Sequence, residues 1–311
     1  MSVSCFVRRK MAAKEEKRTM GKKIGWIGTG VMGASMCMHL LKAGNEIFVY
    51  NRTKSRTDDL VAAGAKWCAS PAEVAKNADI IFTMVGYPID VEETILGADG
   101  VLANTAPGKI IVDLTTSEPA LAIRIYQEAK AKGVETLDAP VSGGDVGARE
   151  ATLAIMVGGE QGTFDKVKDL FDVMGKNVVL RGEAGTGQHT KMCNQILIAG
   201  TMIGTVESLF YAYKTGMDLN EVIDVIGSGA ASSFCINKLG RRIADGDFDP
   251  GFFIKHFVKD MGIALAEAER MNMSLPGLAL ANQFYIAAMA QGLEAFGTQA
   301  LYKVFERMHG E

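Results

Sequence analysis

The run Lys22-Lys23-Ile24-Gly25-Trp26-Ile27-Gly28-Thr29-Gly30-Val31-Met32-Gly33 constrains this chain more than any other segment. It predicts a short buried strand, a glycine-rich turn and the first turn of a helix. Gly28, Gly30 and Gly33 form G-x-G-x-x-G: a tight turn, an open approach for a pyrophosphate, and close packing of helix on strand. The helix N-terminus then offers unpaired N–H groups and a partial positive charge to that pyrophosphate, and Thr29, Val31 and Met32 are counted with the glycines as cofactor contacts. The same spacing also arises in purely structural strand–turn–helix units. Here an amphipathic helix (Val31 to Ala43) closed by Gly44 and a second strand (Glu46 to Tyr50) follow, and that context favours dinucleotide binding.

The end of the second strand selects the cofactor. NAD-binding domains place an Asp or Glu there for the ribose 2′-hydroxyl, whereas an Arg suits a 2′-phosphate. The run Asn51-Arg52-Thr53-Lys54 has no carboxylate. Arg52 offers a bidentate phosphate contact, and Asn51 and Thr53 add polar groups. NADP(H) is the expected cofactor, with NAD(H) as the alternative.

Further strands are expected at Ile80–Met84, Ile110–Asp113, Glu135–Asp138, Leu153–Val157 and Asn177–Leu180, with helices between them. Ser70-Pro71-Ala72-Glu73 reads as a capping box, and Ser117 as the cap of a long helix closed by Gly133. Such alternation builds an α/β domain with a parallel, doubly wound Rossmann-type sheet. After Gly187 no strand signal remains. Helices are expected over 188–215, 220–228, 234–244, 255–272, 278–291 and 298–308, an all-α second domain. The first of them, about 28 residues, would span roughly 42 Å. The expected division is an extension over 1–20, a dinucleotide-binding domain over 21–184 and a helical substrate and oligomerisation domain over 185–311.

Composition narrows the function. The 311 residues are 48% hydrophobic and 22% charged with net charge −3, which gives no electrostatic footprint for nucleic acid or a membrane. The apolar stretch 196–213 approaches a membrane span in length but contains Glu207, so a buried helix is expected. Five scattered cysteines without C-x-x-C spacing fit a reduced, cytoplasmic compartment. Four histidines without close spacing argue against a metal site. The basic start, with Arg8, Arg9 and Lys10, has no apolar run for a secretory signal and carries Glu15 and Glu16.

Two segments carry candidate chemistry. The loop Asp138-Ala139-Pro140-Val141-Ser142-Gly143-Gly144 exposes backbone N–H groups and a hydroxyl suited to a carboxylate. At the start of the long helix, Lys191, Asn194 and Gln195 share one face. Taken alone, a lysine is usually a solvated charge; partly desolvated at this apolar helix start, it would have a pKa lowered toward proton-transfer range. His189 and His256 are further titratable groups.

These segments, with Asp113-Leu114-Thr115-Thr116-Ser117 and Lys255-His256-Phe257-Val258-Lys259-Asp260, resemble the β-hydroxyacid dehydrogenases over nearly all of Gly21 to Arg307. The resemblance implies Lys191 as the catalytic lysine, and Ser142 and Gly143, with Gly144, as the carboxylate loop. It implies Thr116 as a cofactor contact, and Phe252, Lys259 and Asp260 as residues closing the site. Lys259 is grouped with the cofactor set, as are Met84 and Val85 at the end of the third long strand. Family members often carry Asn four residues after the lysine; here Gln195 stands there and Asn194 precedes it, and either amide serves the substrate. The implied activity is NAD(P)-dependent interconversion of a small β-hydroxy acid and its semialdehyde, by a homodimer or homotetramer. An imine reductase shares the fold but typically lacks the lysine. A 6-phosphogluconate dehydrogenase usually has a longer helical domain. A non-catalytic dinucleotide-binding module need not keep Lys191 with the Ser142 loop.

Overall fold

A computed structural model describes residues 21–311; the expected extension lies outside the described residues. The first half alternates strand and helix: β1 (Lys23–Ile27), α1 (Val31–Lys42), β2 (Glu46–Tyr50), α2 (Asp58–Ala62), β3 (Lys66–Trp67), α3 (Pro71–Asn77), β4 (Ile80–Thr83), α4 (Pro88–Leu96), β5 (Ile110–Asp113), α5 (Pro119–Ala131), β6 (Glu135–Asp138), β7 (Val141–Ser142), α6 (Gly144–Arg149), β8 (Leu153–Gly159), α7 (Gln161–Asp172) and β9 (Gly175–Leu180). The second half is helical: α8 (Thr186–Lys214), α9 (Leu219–Ile226), a π-helical turn (Cys235–Leu239), α10 (Gly240–Ala244), α11 (Ile254–Arg270), α12 (Pro276–Ala290), a 3₁₀ turn (Thr298–Ala300) and α13 (Leu301–Met308).

The sheet order is β3-β2-β1-β4-β5-β6-β8-β7, with β9 on β8. β3 through β6 are parallel, and β4, with every residue buried, is the continuous apolar run that a two-sided cover requires. One face packs on α1 and α7 through Trp26, Met36, Leu40, Phe82 and Phe171. The other packs on α3, α4 and α5 through Val74, Val91, Ile95, Leu121 and Ile125. β1 and β2 end where α1 begins, so the glycine turn lies at the strands' carboxyl edge, where open α/β sheets bind ligands.

Four local expectations are corrected. The sheet is not wholly parallel: β8 runs antiparallel to β6 and β7. The segment joining β6 to β8 carries only the two-residue β7 and the six-residue α6, and folds back instead of crossing over. The two-residue strands β3 and β7 carry too little periodicity to be read from sequence. Ser117 does not cap α5. Its N–H donates to Gln188 Oε1 at 3.0 Å, its hydroxyl is buried without a partner, and Glu118 is the N-cap residue. The expected helices over 234–244 and 298–308 each open as a different helical form, the π turn and the 3₁₀ turn. At Ser70 the cap holds: its Oγ accepts from Glu73 N, although the Glu73 carboxylate turns to Ala69 N.

α8, 29 residues long, starts against the sheet and runs through the second core. There Met202, Val206 and Leu209 meet Phe257, Met261 and Tyr285. It is long and apolar enough to cross a membrane by length and composition, and one side of it is buried in this core.

Candidate active site

The glycine turn is built for close approach. Gly28 has φ +98, and a Cβ there would stand 2.2 Å from Met84 O. At Gly33 a Cβ would stand 2.1 Å from Gly28 O, the oxygen that Trp26 Nε1 also grips at 2.9 Å. Around Gly30, by contrast, a Cβ would meet nothing within 4 Å. α1 then starts with no side-chain cap and no acidic residue in its first turn, leaving its N-terminal N–H groups to a ligand. Thr29 Oγ1 is buried beside the turn without a partner. An open approach, uncapped N–H groups and an orphaned hydroxyl fit a dinucleotide pyrophosphate.

Around this cradle, Val31 is exposed and Met32 packs on the core. Asn51 Oδ1 accepts from Thr29 N at 3.0 Å, and Asn51 Nδ2 donates to Thr53 O at 2.9 Å. Asn51 is thus occupied in shaping the turn. Arg52 is open to solvent. Met84 and Val85 form the opposite lip, where Val85 N donates to Thr115 Oγ1 at 3.0 Å.

Two buried carboxylates, whose roles sequence reasoning missed, hold the next tier. Asp113 Oδ1 accepts from Thr83 Oγ1 and Thr115 N. Burial pushes its pKa up to about 6, against the pull of these hydrogen bonds. Asp138 accepts from Gly185 N at 2.7 Å and Gln188 N at 2.9 Å, and burial raises its pKa as well. Gln188 donates to Thr115 O and accepts from Ser117 N, tying the Thr116 loop to α8. The partners of Asp138 and Gln188 lie 47 to 73 residues apart, so no local pattern reveals them.

A second polar cluster lies one turn along α8. Lys191 is 6% exposed, and its Nζ donates to Val141 O at 2.9 Å. Burial lowers its pKa to about 8, while Asp260 pulls upward and Lys259 downward. Asp260, 1% exposed, accepts from Gln195 Nε2 at 2.6 Å. Gln195 Oε1 accepts from Asn194 Nδ2 at 2.7 Å, and Asn194 Oδ1 accepts from Ser142 Oγ at 3.3 Å. A carboxylate only accepts, so Asp260 fixes the direction of every donor in this relay. Gly143 and Gly144 continue from Ser142 with φ +136 and +63. Lys259 Nζ donates to Thr116 O at 2.6 Å and lies 2.9 Å from Asp260 Oδ1, at an angle that makes no hydrogen bond. Phe252 stands edge-on to Phe257, 5.9 Å between centroids.

The structure therefore brings together Ser142, Lys191, Asn194, Gln195, Lys259 and Asp260 from both halves of the chain. His189 is exposed on α8. His256 packs 5.5 Å from the Tyr87 ring, and burial lowers its pKa.

Known proteins match this arrangement in both halves. The profile of the NAD-binding domain of 6-phosphogluconate dehydrogenase matches residues 23–182. A second profile, described as NAD-binding of NADP-dependent 3-hydroxyisobutyrate dehydrogenase, matches residues 185–305. A probable mitochondrial 3-hydroxyisobutyrate dehydrogenase-like protein of Arabidopsis thaliana is 48% identical over 98% of this chain and 93% of its own. The 2-hydroxy-3-oxopropionate reductase of Escherichia coli is 37% identical over 92% and 98%. The 3-hydroxyisobutyrate dehydrogenase of Mycobacterium tuberculosis, solved with L-serine, superposes with a TM-score of 0.84 at 28% identity, covering 92% and 99% of the two chains. An imine reductase from Pseudomonas sp., at 19% identity and a TM-score of 0.61, is alike in fold alone. The chain belongs to the β-hydroxyacid dehydrogenase family, the NAD(P)-dependent oxidoreductases that act on CH–OH.

Proposed function

We propose that this enzyme interconverts a small β-hydroxy acid and its semialdehyde, with Lys191 as the group that moves the proton. One observation carries the reading. A lysine that burial holds near pKa 8 sits at the head of α8, hydrogen-bonded to the loop that continues into Ser142-Gly143-Gly144. A resting structural lysine has no need of that site, and an imine reductase or a bare dinucleotide-binding module needs no lysine there.

Gly28, Thr29, Gly30 and Gly33 with the start of α1 hold the pyrophosphate, and Arg52 faces the adenosine end. Arg52 favours NADP(H), and NAD(H) uses the same cradle without the phosphate contact. When bound, the nicotinamide supplies or accepts the hydride. The chain's own residues do the rest. Ser142, Gly143 and Gly144 take the substrate carboxylate, so the reacting carbon lies beside Lys191. In reduction the ammonium gives its proton to the carbonyl oxygen and stabilises the developing alkoxide. In oxidation the neutral amine takes the hydroxyl proton. Asn194, half-buried and joined to Ser142 of the carboxylate loop, is the amide we assign to the substrate, because Gln195 is buried and held by Asp260. Phe252 and Asp260 close the site from the helical side.

We place the domain boundary at 184/185, between β9 and α8, and the protein in the cytoplasm. The free cysteines among the described residues support the second assignment. Exposed apolar side chains such as Leu197 and Tyr211 on α8 support a homodimer or homotetramer.

The test is Lys191→Ala. Turnover of semialdehydes should fall by about 10²–10⁴, the scale of general acid–base catalysis, with nucleotide affinity by fluorescence titration intact. A variant within about threefold of wild-type kcat removes Lys191 from the mechanism.

A further inference from the structure

On sequence, the run after β2 offers two cations, Arg52 and Lys54, and no acid. The fold places them differently. Lys54 Nζ sits over the exposed ring of Trp67, 4.1 Å from its centroid, at the β3 edge. Arg52 remains, its side chain 86% exposed, and Asp90 Oδ1 lies 3.4 Å from its Nη1. Asp90 comes from the first turn of α4, 38 residues away in sequence. Its other oxygen accepts from Tyr87 N at 3.0 Å, and its side chain is 20% exposed. A hydrogen bond to the backbone thus fixes the acid, while the arginine is free to swing.

We propose that Asp90 is a cofactor-specificity determinant: a fixed carboxylate that offsets Arg52 at the adenosine end and holds the enzyme to comparable use of NADH and NADPH. The physical case is one of charge. A 2′-phosphate brought to Arg52 also comes to Asp90, and like charges at that range repel. A ribose 2′-hydroxyl suffers no such repulsion and meets an acceptor of the kind that NAD-binding domains carry at the end of their second strand. In this chain the acid reaches the same neighbourhood from α4 instead of β2. The inference rests on the reading of the glycine turn as a nicotinamide dinucleotide site.

Asp90→Asn isolates the charge, because the Asn side-chain oxygen still accepts from Tyr87 N and α4 keeps its cap. The purified full-length protein is titrated with NADPH, NADH and the fragment 2′,5′-ADP, the first two by nucleotide fluorescence and the third by calorimetry. Wild type should bind NADPH and NADH within about tenfold of each other. In Asp90→Asn the NADPH and 2′,5′-ADP affinities should each rise about fivefold or more, the scale of one exposed like-charge contact, with NADH unchanged or weaker. Asp90→Ala, which loses the cap as well, should shift the NADPH-to-NADH ratio in the same direction. A ratio within about twofold of wild type in Asp90→Asn overturns the proposal, since a structural role alone moves both cofactors together. So does a wild-type preference for NADPH already beyond about a hundredfold. Failure of wild type to bind either nucleotide overturns the dinucleotide reading itself and is distinguished by that.

Discussion

Lys191 carries a measurable cost at the residue scale. Its ordinary pKa is 10.5, and burial holds it to about 8. The folded state therefore disfavours the ammonium. Below about pH 8 both states are protonated and the full cost is present. From about 8 to 10.5 the unfolded chain binds the extra proton, so stability rises with pH and the cost fades. Lys191→Met removes the charge at similar volume. Its urea midpoint at pH 7 should equal or exceed that of wild type, and the gap should close by pH 10. A midpoint well below wild type at pH 7 would show that the Val141 hydrogen bond outweighs desolvation. The same pKa orders the kinetics: oxidation should gain and reduction should lose as pH passes about 8. The sequence foreshadowed a desolvated lysine, because Lys191 heads a long apolar helix. It did not show Asp90 beside Arg52, nor that Gln195 reaches Asp260. Those contacts depend on how separate elements pack and leave no trace in local spacing.

Among elements, α8 matters most to the site, and its start is gripped by one carboxylate. Asp138, at the end of β6, accepts the N–H groups of Gly185 and Gln188, which a helix start otherwise leaves bare. Lys191 follows within the next turn. Asp138→Asn replaces one accepting oxygen with a donor that faces an N–H. We expect a loss of about 2–4 kcal/mol in urea unfolding, the range for breaking a buried charged hydrogen bond. Turnover should fall as Lys191 loses register, with NADPH affinity little changed because Gly28 to Gly33 stand on β1 and α1. Equal losses in both would show that Asp138 supports the whole domain. Elements with strong periodicity were legible: the bounds of β2, β5 and β6 are those the alternation predicts. The antiparallel turn of β8 was not, because strand direction depends on the length of the connecting segment, which an apolar pattern does not encode.

Across the whole molecule, two bodies meet at the site. The sheet and its covering helices enclose two apolar clusters, and the helical half encloses its own. Polar bridges cross the junction: Gln188 of α8 to the Thr115–Ser117 loop, and Lys259 of α11 to Thr116 O. The Tyr87–His256 contact adds an aromatic one. Such a junction permits opening while each core stays folded. Lys259 is its most exposed charged tie, at 11% side-chain exposure, and it donates to the loop that the family resemblance places beside the nicotinamide. Lys259→Met keeps the stem and removes the donor. The lost bond, about 1.5–3 kcal/mol for a charged donor, should accelerate amide exchange about 10- to 100-fold in the 113–117 loop and at the start of α11. Exchange in the central strands and the thermal midpoint should hardly move, since no apolar core is touched. The helical half would then close less firmly over bound nucleotide, and KM for the acid should rise more than kcat falls. Unchanged exchange in the 113–117 loop would show that α8 alone sets the position of the two bodies, with Lys259 a bystander at their seam.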